Sequence, residues 1–332
     1  MKHWTEPNGI FLIQIPTEWQ YRNPAVEGVE ESSPFSFEPY ESAVGCFQIS
    51  CYPLEELAPQ IAEDYPKGVP RLEWRHSRMD DSEFCVHMFF GALADQALIG
   101  KYIHGADLDN DKRIERELRV VKDILTSLVI VPPGDRDLAS DMNKFDRFEG
   151  ALAASYDLLD NAIESDSFIE VIAIVTNQID AFLRLSIVIA IQLENETDEI
   201  QIKYLYQGDE EKGIIERKIF EDAFKYNIIT EGIYEELASL YKLRNRVIHR
   251  YIISDIKTRD LPSIAVKYLE AAERVRLTLR DLEDRQKKCH FGVYGKKFGK
   301  VSDPDEKTIK RLYANVNDKH LIGKLTRKIA DS

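Results

Sequence analysis

The chain has 332 residues, 44% of them hydrophobic, which is enough length and apolar content for two domains with a core in each. Its formal net charge of −14 excludes a protein that coats nucleic acid indiscriminately, because that role needs an excess of Lys and Arg to neutralise phosphates. The four cysteines, Cys46, Cys51, Cys85 and Cys289, lack finger-like spacing and are too sparse for a disulfide framework, so free thiols are expected.

The opening MKHWTEPNGIFLIQIP has no apolar leader core, and the most apolar stretch, Phe182 to Leu193, is interrupted by Arg184 and too short to span a bilayer. A cytoplasmic protein with no membrane partner is expected.

In chain order, Ile10 to Ile15 is a short apolar run ended by Pro16, Gly45 to Tyr52 alternates, and Phe84 to Phe90 is rich in aromatic residues. These patterns predict strands of one sheet. Lys112 to Leu128 places Ile114, Leu118, Val121, Ile124, Leu125 and Leu128 at a helical period, so a helix covers that sheet. Asp107, Asp109 and Asp111 begin like a calcium loop but lack its glycine and closing glutamate. His76, His87 and His104 are scattered among these elements with no nucleophile beside them and read as structural. With the phrase Ile15-Pro-Thr-Glu-Trp19, the order of elements resembles small PsbP-like αβα sandwiches over about the first 130 residues.

Pro132-Pro133-Gly134-Asp135 reads as a linker. It closes an α+β domain at 1–134, to which the sequence gives no chemistry and for which recognition is one expectation, and opens an all-α domain at 140–288. Helices are predicted at Phe145 to Ile163, Ser167 to Leu193, Lys212 to Tyr226, from Thr230 as N-cap into the 240s, and Ser263 to Lys287, a four- to five-helix bundle. Asp209-Glu210-Glu211 reads as a solvated loop. Residues 289–332 form a basic extension: from Arg285 onward there are 13 basic and 5 acidic residues, a net of +8 that leaves −22 for the rest.

In that extension Lys287, Lys288, Phe291, Tyr294, Lys296, Lys297, Phe298 and Lys300 interleave cations with aromatics, a pattern suited to unpaired bases or simply to a solvated tail. Cys289-His290 has no second Cys/His pair, which argues against a zinc finger. Two short amphipathic stretches follow, Asp305 to Tyr313 and Lys319 to Ile329.

The segment with chemistry in it is Arg244-Asn245-Arg246-Val247-Ile248-His249-Arg250-Tyr251. Cleaving RNA through its own 2′-OH needs a proton acceptor, a proton donor and a stabiliser of the charged phosphorane. Histidine serves either proton role near neutral pH, and arginine offers a fixed cationic fork that fits phosphate oxygens. The Arg-Asn-x3-His-x-Tyr string, with the helices around it, resembles the HEPN family over residues 145–288. The resemblance implies an all-α domain acting as a metal-independent endoribonuclease without cofactor, and a homodimer with a composite site. It also implies a toxin or phage-defence effector whose Tyr251 is adenylylated by a partner minimal nucleotidyltransferase.

On a continuous helix at about 100° per residue, Asn245 and His249 share a face, so the amide is expected to orient the imidazole. Arg244 lies roughly 140° from His249, an arrangement that two crossed copies satisfy better than one. Lys242, Arg246 and Arg250 form a row for flanking phosphates, or a solvated face. Tyr251 falls about 20° from Arg244, near the Leu240/Val247 stripe, where core packing is an equal expectation. Catalytic roles thus fall to Arg244, Asn245 and His249, and RNA contacts to Lys242, Arg246 and Arg250. The competing expectation is a noncatalytic interaction or nucleotide-binding protein that dimerises through its bundle.

Overall fold

A computed structural model describes residues 1–22, 32–56, 73–94, 96–208, 212–295, 306–321 and 325. The chain is an α+β mixture and divides into two compact units, Met1–Ser140 and Asp141–Ser332. Pro133–Asp135 is a single 3-10 turn rather than a linker, and a helix begins directly at Arg136, so the division falls inside that helix. Its first residues are polar, which hid the start from a hydrophobic period.

The first unit contains β1 (Lys2–Thr5), β2 (Phe11–Ile15), β3 (Trp19–Arg22), β4 (Phe35–Pro39), β5 (Gly45–Pro53), β6 (Arg75–Asp80), β7 (Phe84–Leu93), β8 (Gln96–Gly105), helix α1 (Lys112–Thr126) and β9 (Val129–Ile130). The expectation of one sheet was wrong. The run ending at Ile15 pairs with β1 and β9 in a three-stranded antiparallel sheet, whereas β5 and β7 belong to a six-stranded antiparallel sheet ordered β3-β4-β5-β8-β7-β6. Pro16 separates them: it has no N–H for a ladder, and its carbonyl instead accepts from Trp19 N at 3.1 Å, turning the chain into the second sheet.

Trp4, Phe11, Phe37, Phe47, Leu98 and Tyr102 are buried with Ile114, Val121, Ile124 and Leu125 of α1 in one core. Trp4 packs against Phe35 at 5.2 Å and edge-on to Phe37 at 5.1 Å between ring centroids. Within this core Tyr102 donates to Glu117 Oε2 at 2.8 Å, and Val44 N donates to the other carboxylate oxygen at 3.3 Å. Burial pushes the Glu117 carboxyl up, and these donors hold it back. Asp111 caps α1, accepting from Arg113 N at 2.9 Å, which gives the Asp107/Asp109/Asp111 run a structural use.

The second unit is built from the remainder of α2 (Arg136–Glu164) with α3 (Phe168–Asn195), α4 (Glu216–Lys225), α5 (Glu231–His249), α6 (Leu261–Gln286) and α7 (Glu306–His320). Taken whole, helix α3 is long and apolar enough to cross a membrane by length and composition, but 67% of its apolar window is buried inside the fold. Its side chains instead fill the unit's own core: Val171, Ile172, Val175, Leu183 and Ile187 are at most 1% exposed, beside Tyr268 and Val275 of α6.

The segment after α6 is part of this unit, not a detached extension. Gln286 Nε2 donates to Gln192 Oε1 at 3.0 Å, and that oxygen also accepts from Val293 N at 3.2 Å. Tyr294 N donates to Gln286 Oε1 at 2.9 Å. Gly292 adopts φ +82, and a Cβ there would sit 2.1 Å from the Gln286 amide nitrogen, so this turn requires glycine. Tyr294 donates to Glu149 of α2 at 2.6 Å, so neither a solvated tail nor an open stacking platform describes this residue. Lys296, Lys297, Phe298, Lys300, the Asp209–Glu211 cluster and most of Lys319 to Ile329 lie outside the described residues.

Candidate functional site

Helix α5 positions the Arg244–His249 segment. Thr230 Oγ1 caps its start by accepting from Ile233 N at 3.4 Å, and Leu237, Leu240 and Val247 turn inward and anchor it. Tyr268 of α6 donates to the Leu240 carbonyl at 2.5 Å, a side-chain bond to the backbone inside the helix.

Arg244 faces inward. Its guanidinium is ion-paired with Glu216, the first residue of α4, with the two side chains only 19% and 16% exposed, and it lies 5.1 Å above the Tyr241 ring. Its Nε is buried without a hydrogen-bond partner. A second pair from α3 adjoins it: Arg184 Nε donates to Asp180 Oδ2 at 2.5 Å, while its two terminal nitrogens donate to the carbonyls of Tyr204 (3.2 Å) and Ile214 (2.6 Å). Burial pushes the Glu216 and Asp180 carboxyls up. Arg244 pulls Glu216 back down, Asp180 lifts it again, and Arg184 and Arg244 both pull Asp180 down. The result is a four-charge cluster that sequence reading missed. The signal for it was Arg184 itself, a cation in the most apolar stretch with an acid four residues before it.

The other end of the motif faces out. His249 is the last residue of α5 and is exposed, as are Lys242, Arg246 and Arg250. Asn245 is half-buried, and among the described residues no hydrogen bond joins its amide to His249, so the expected Asn245–His249 unit is not formed. Tyr251 does not continue the helix. Arg250 leaves helical geometry at φ −132, ψ 17, and Tyr251 opens a 3-10 turn with its hydroxyl 2.6 Å from Thr258 Oγ1. Tyr251 thus leaves the wheel position beside Arg244, yet its ring packs, partly buried, against the core of the second unit, as one of its two expectations had it. Ile252 and Ile253, next along, are 96% and 83% exposed.

The second unit also has a half-open pocket of about 690 Å³ lined by Phe145, Tyr156, Phe182, Arg276, Glu283 and Tyr294 among others, and by none of the motif residues. On its wall, burial holds the Glu149 carboxyl at about 7 against the Tyr294 hydroxyl that donates to it. This pocket is mixed in charge and lies apart from the motif, whose exposed cations and imidazole stand at the end of α5.

No family model matches the chain, and no curated protein matches it. A solved structure of a protein from Bacteroides thetaiotaomicron VPI-5482 is similar over 82% of this chain and 98% of that one, at 12% identity and a TM-score of 0.30, a likeness too slight to carry fold or function.

Proposed function

We propose that the Asp141–Ser332 unit is a HEPN-type, metal-independent endoribonuclease, acting as a toxin or phage-defence effector on RNA. The observation that carries the reading is the exposed His249 imidazole at the C-terminal end of α5, without a partner among the described residues, amid the exposed cations Lys242, Arg246 and Arg250. In this reading a 2′-OH attacks the adjacent phosphorus while its proton passes to a base. The P–O5′ bond breaks, the leaving 5′-oxygen takes a proton, and the products are a 2′,3′-cyclic phosphate and a 5′-hydroxyl. His249 handles a proton, and the cations hold flanking phosphates on an otherwise acidic chain. A homodimer would bring a second copy of the segment to the first, and the exposed Ile252 and Ile253 supply apolar surface for that contact.

A second reading, a noncatalytic interaction protein, is favoured by one observation: Arg244 is committed to Glu216 in its own chain. Cleavage of single-stranded RNA by the full chain in EDTA separates the two. The nuclease reading expects His249→Ala to lower the rate by about 100-fold or more, the scale of a general acid or base, with circular dichroism and oligomeric size unchanged. Equal products from wild type and variant, or none from either, leave only the second reading. Mixing Arg244→Ala with His249→Ala protein restores activity if the site is shared between subunits, and proven subunit exchange without recovery removes the composite site.

A further inference from the structure

We propose that Cys85, His104 and Asp109 in the first unit bind a divalent ion of the zinc class. Strand register brings them together: Cys85 on β7 is paired directly with His104 on β8, and Asp109 follows in the turn that leads from β8 to α1. The Cys85 thiol sulfur, one His104 ring nitrogen and an Asp109 carboxylate oxygen all lie within 4.8 Å of one another. Four-coordinate zinc with bonds of about 2.0–2.3 Å sets its donors roughly 3.5 Å apart, so closure by about an ångström brings these three into place and leaves the fourth position for water.

The second, independent observation is the state of His104. Its side chain is fully enclosed, its Nδ1 lies 3.0 Å from the Gly105 carbonyl oxygen, and its Nε2 has no hydrogen-bond partner. A carbonyl only accepts, so Nδ1 carries the proton and donates. In the neutral ring Nε2 then presents a lone pair, with the tautomer fixed as in metal-bound histidines. Asp109 Oδ1 stands 3.9 Å from Nε2, too far for a hydrogen bond. A buried nitrogen lone pair facing a thiol and a carboxylate is a set of S, N and O donors suited to zinc rather than to calcium or magnesium.

Arg78 competes for this place. Its guanidinium nitrogen is 2.8 Å from Asp109 Oδ1 and 3.5 Å from the Cys85 sulfur. It stands on β6, an edge strand whose six residues are all exposed, and its Nε is separately held by Asp80 at 2.7 Å. An entering ion must displace this head group from Asp109 and Cys85 toward solvent, and removing it should strengthen binding by taking away a like charge.

The test is a titration of full-length reduced protein with cobalt(II) as a spectroscopic probe and with zinc chloride in a thermal-unfolding assay. One equivalent of cobalt should give a thiolate-to-cobalt charge-transfer band, and zinc should raise the unfolding temperature. Cys85→Ser should abolish the band. His104→Gln should weaken affinity by at least about tenfold, the scale that even an outer-shell partner carries. Arg78→Ala should tighten it, while Cys46→Ser, elsewhere on the sheet, should leave all of this unchanged. Circular dichroism of each variant without metal controls for folding. The site is refuted if wild type gives no charge-transfer band, or if the band survives Cys85→Ser. Zinc stabilisation that persists in both Cys85→Ser and His104→Gln would equally overturn it.

Discussion

Arg244 and His249 lie five residues apart on α5 and have opposite surroundings. Arg244 is enclosed with Glu216, Asp180 and Arg184, while His249 stands in solvent at the helix end with no partner among the described residues. The difference separates stability from chemistry within one short motif. A charge sunk among charges is held by geometry, and its loss strands its partners, whereas an exposed imidazole costs the fold little and is free to act.

The largest expected effect follows from that contrast. Arg244→Ala leaves the Glu216 carboxylate buried without its cation and should destabilise the second unit by about 3 kcal/mol in denaturant unfolding. His249→Ala should stay within about 0.5 kcal/mol in the same experiment. A loss below about 1 kcal/mol for Arg244→Ala would erase the distinction. The double variant Arg244→Met/Glu216→Leu sharpens it: replacing both members of a buried pair by apolar groups is often close to neutral, so stability should return. RNA cleavage that stays absent in this refolded variant then assigns Arg244 a part in the chemistry, and cleavage that returns assigns it to the fold alone.

A smaller effect comes from a carboxyl held in a different way. Glu149 faces the Tyr294 hydroxyl rather than a guanidinium, and burial raises it from its ordinary range to about 7. A folded-state value above the unfolded one means stability is fully present below about pH 4.5 and is lost as pH rises through about 7. Allowing for partial solvent screening, the loss is about 2 kcal/mol. Glu149→Gln should flatten the stability–pH curve of the second unit across that window, and an unchanged curve would show that the carboxyl is not held neutral. Glu216, which burial also lifts but which has a guanidinium to pull it back, should contribute a weaker slope of the same sign.

Readability from sequence followed the distance along the chain over which a feature is assembled. The helix cap at Thr230, the inward face of α3 and the Arg244–Tyr251 string are local, and residue type, helical period and short spacing respectively were enough to find them. The assignment of β2 to a separate sheet, the pairing of Cys85 with His104 and the docking of Gly292–Tyr294 onto Gln192 and Gln286 depend on partners far away in sequence. Register decides such contacts, and no local pattern specifies it. His76, His87 and His104, read as scattered, stand together for the same reason: His76 stacks on His87 at 5.3 Å and His87 on His104 at 5.7 Å between ring centroids. Arg244 lies between the two cases, since its position on the helix was readable but the Glu216 that holds it comes from another helix.

The smallest predicted effect tests the exposed side of the contrast at Tyr251. Its hydroxyl meets Thr258 Oγ1 at 2.6 Å, tying the turn after α5 to the turn that precedes α6. Because this bond is solvent-exposed, Tyr251→Phe should cost only about 0.5 kcal/mol. Attaching any group to the phenolic oxygen removes its O–H and adds bulk beside Thr258, so a modified Tyr251 can only accept from the Thr258 hydroxyl, a change of the same small size. If silencing acts through Tyr251, the Phe variant should retain RNA cleavage and resist inactivation by a nucleotidyltransferase with ATP, measured as cleavage remaining after treatment. Equal inactivation of wild type and Tyr251→Phe would move any modification to another residue and leave Tyr251 as a tie between two turns.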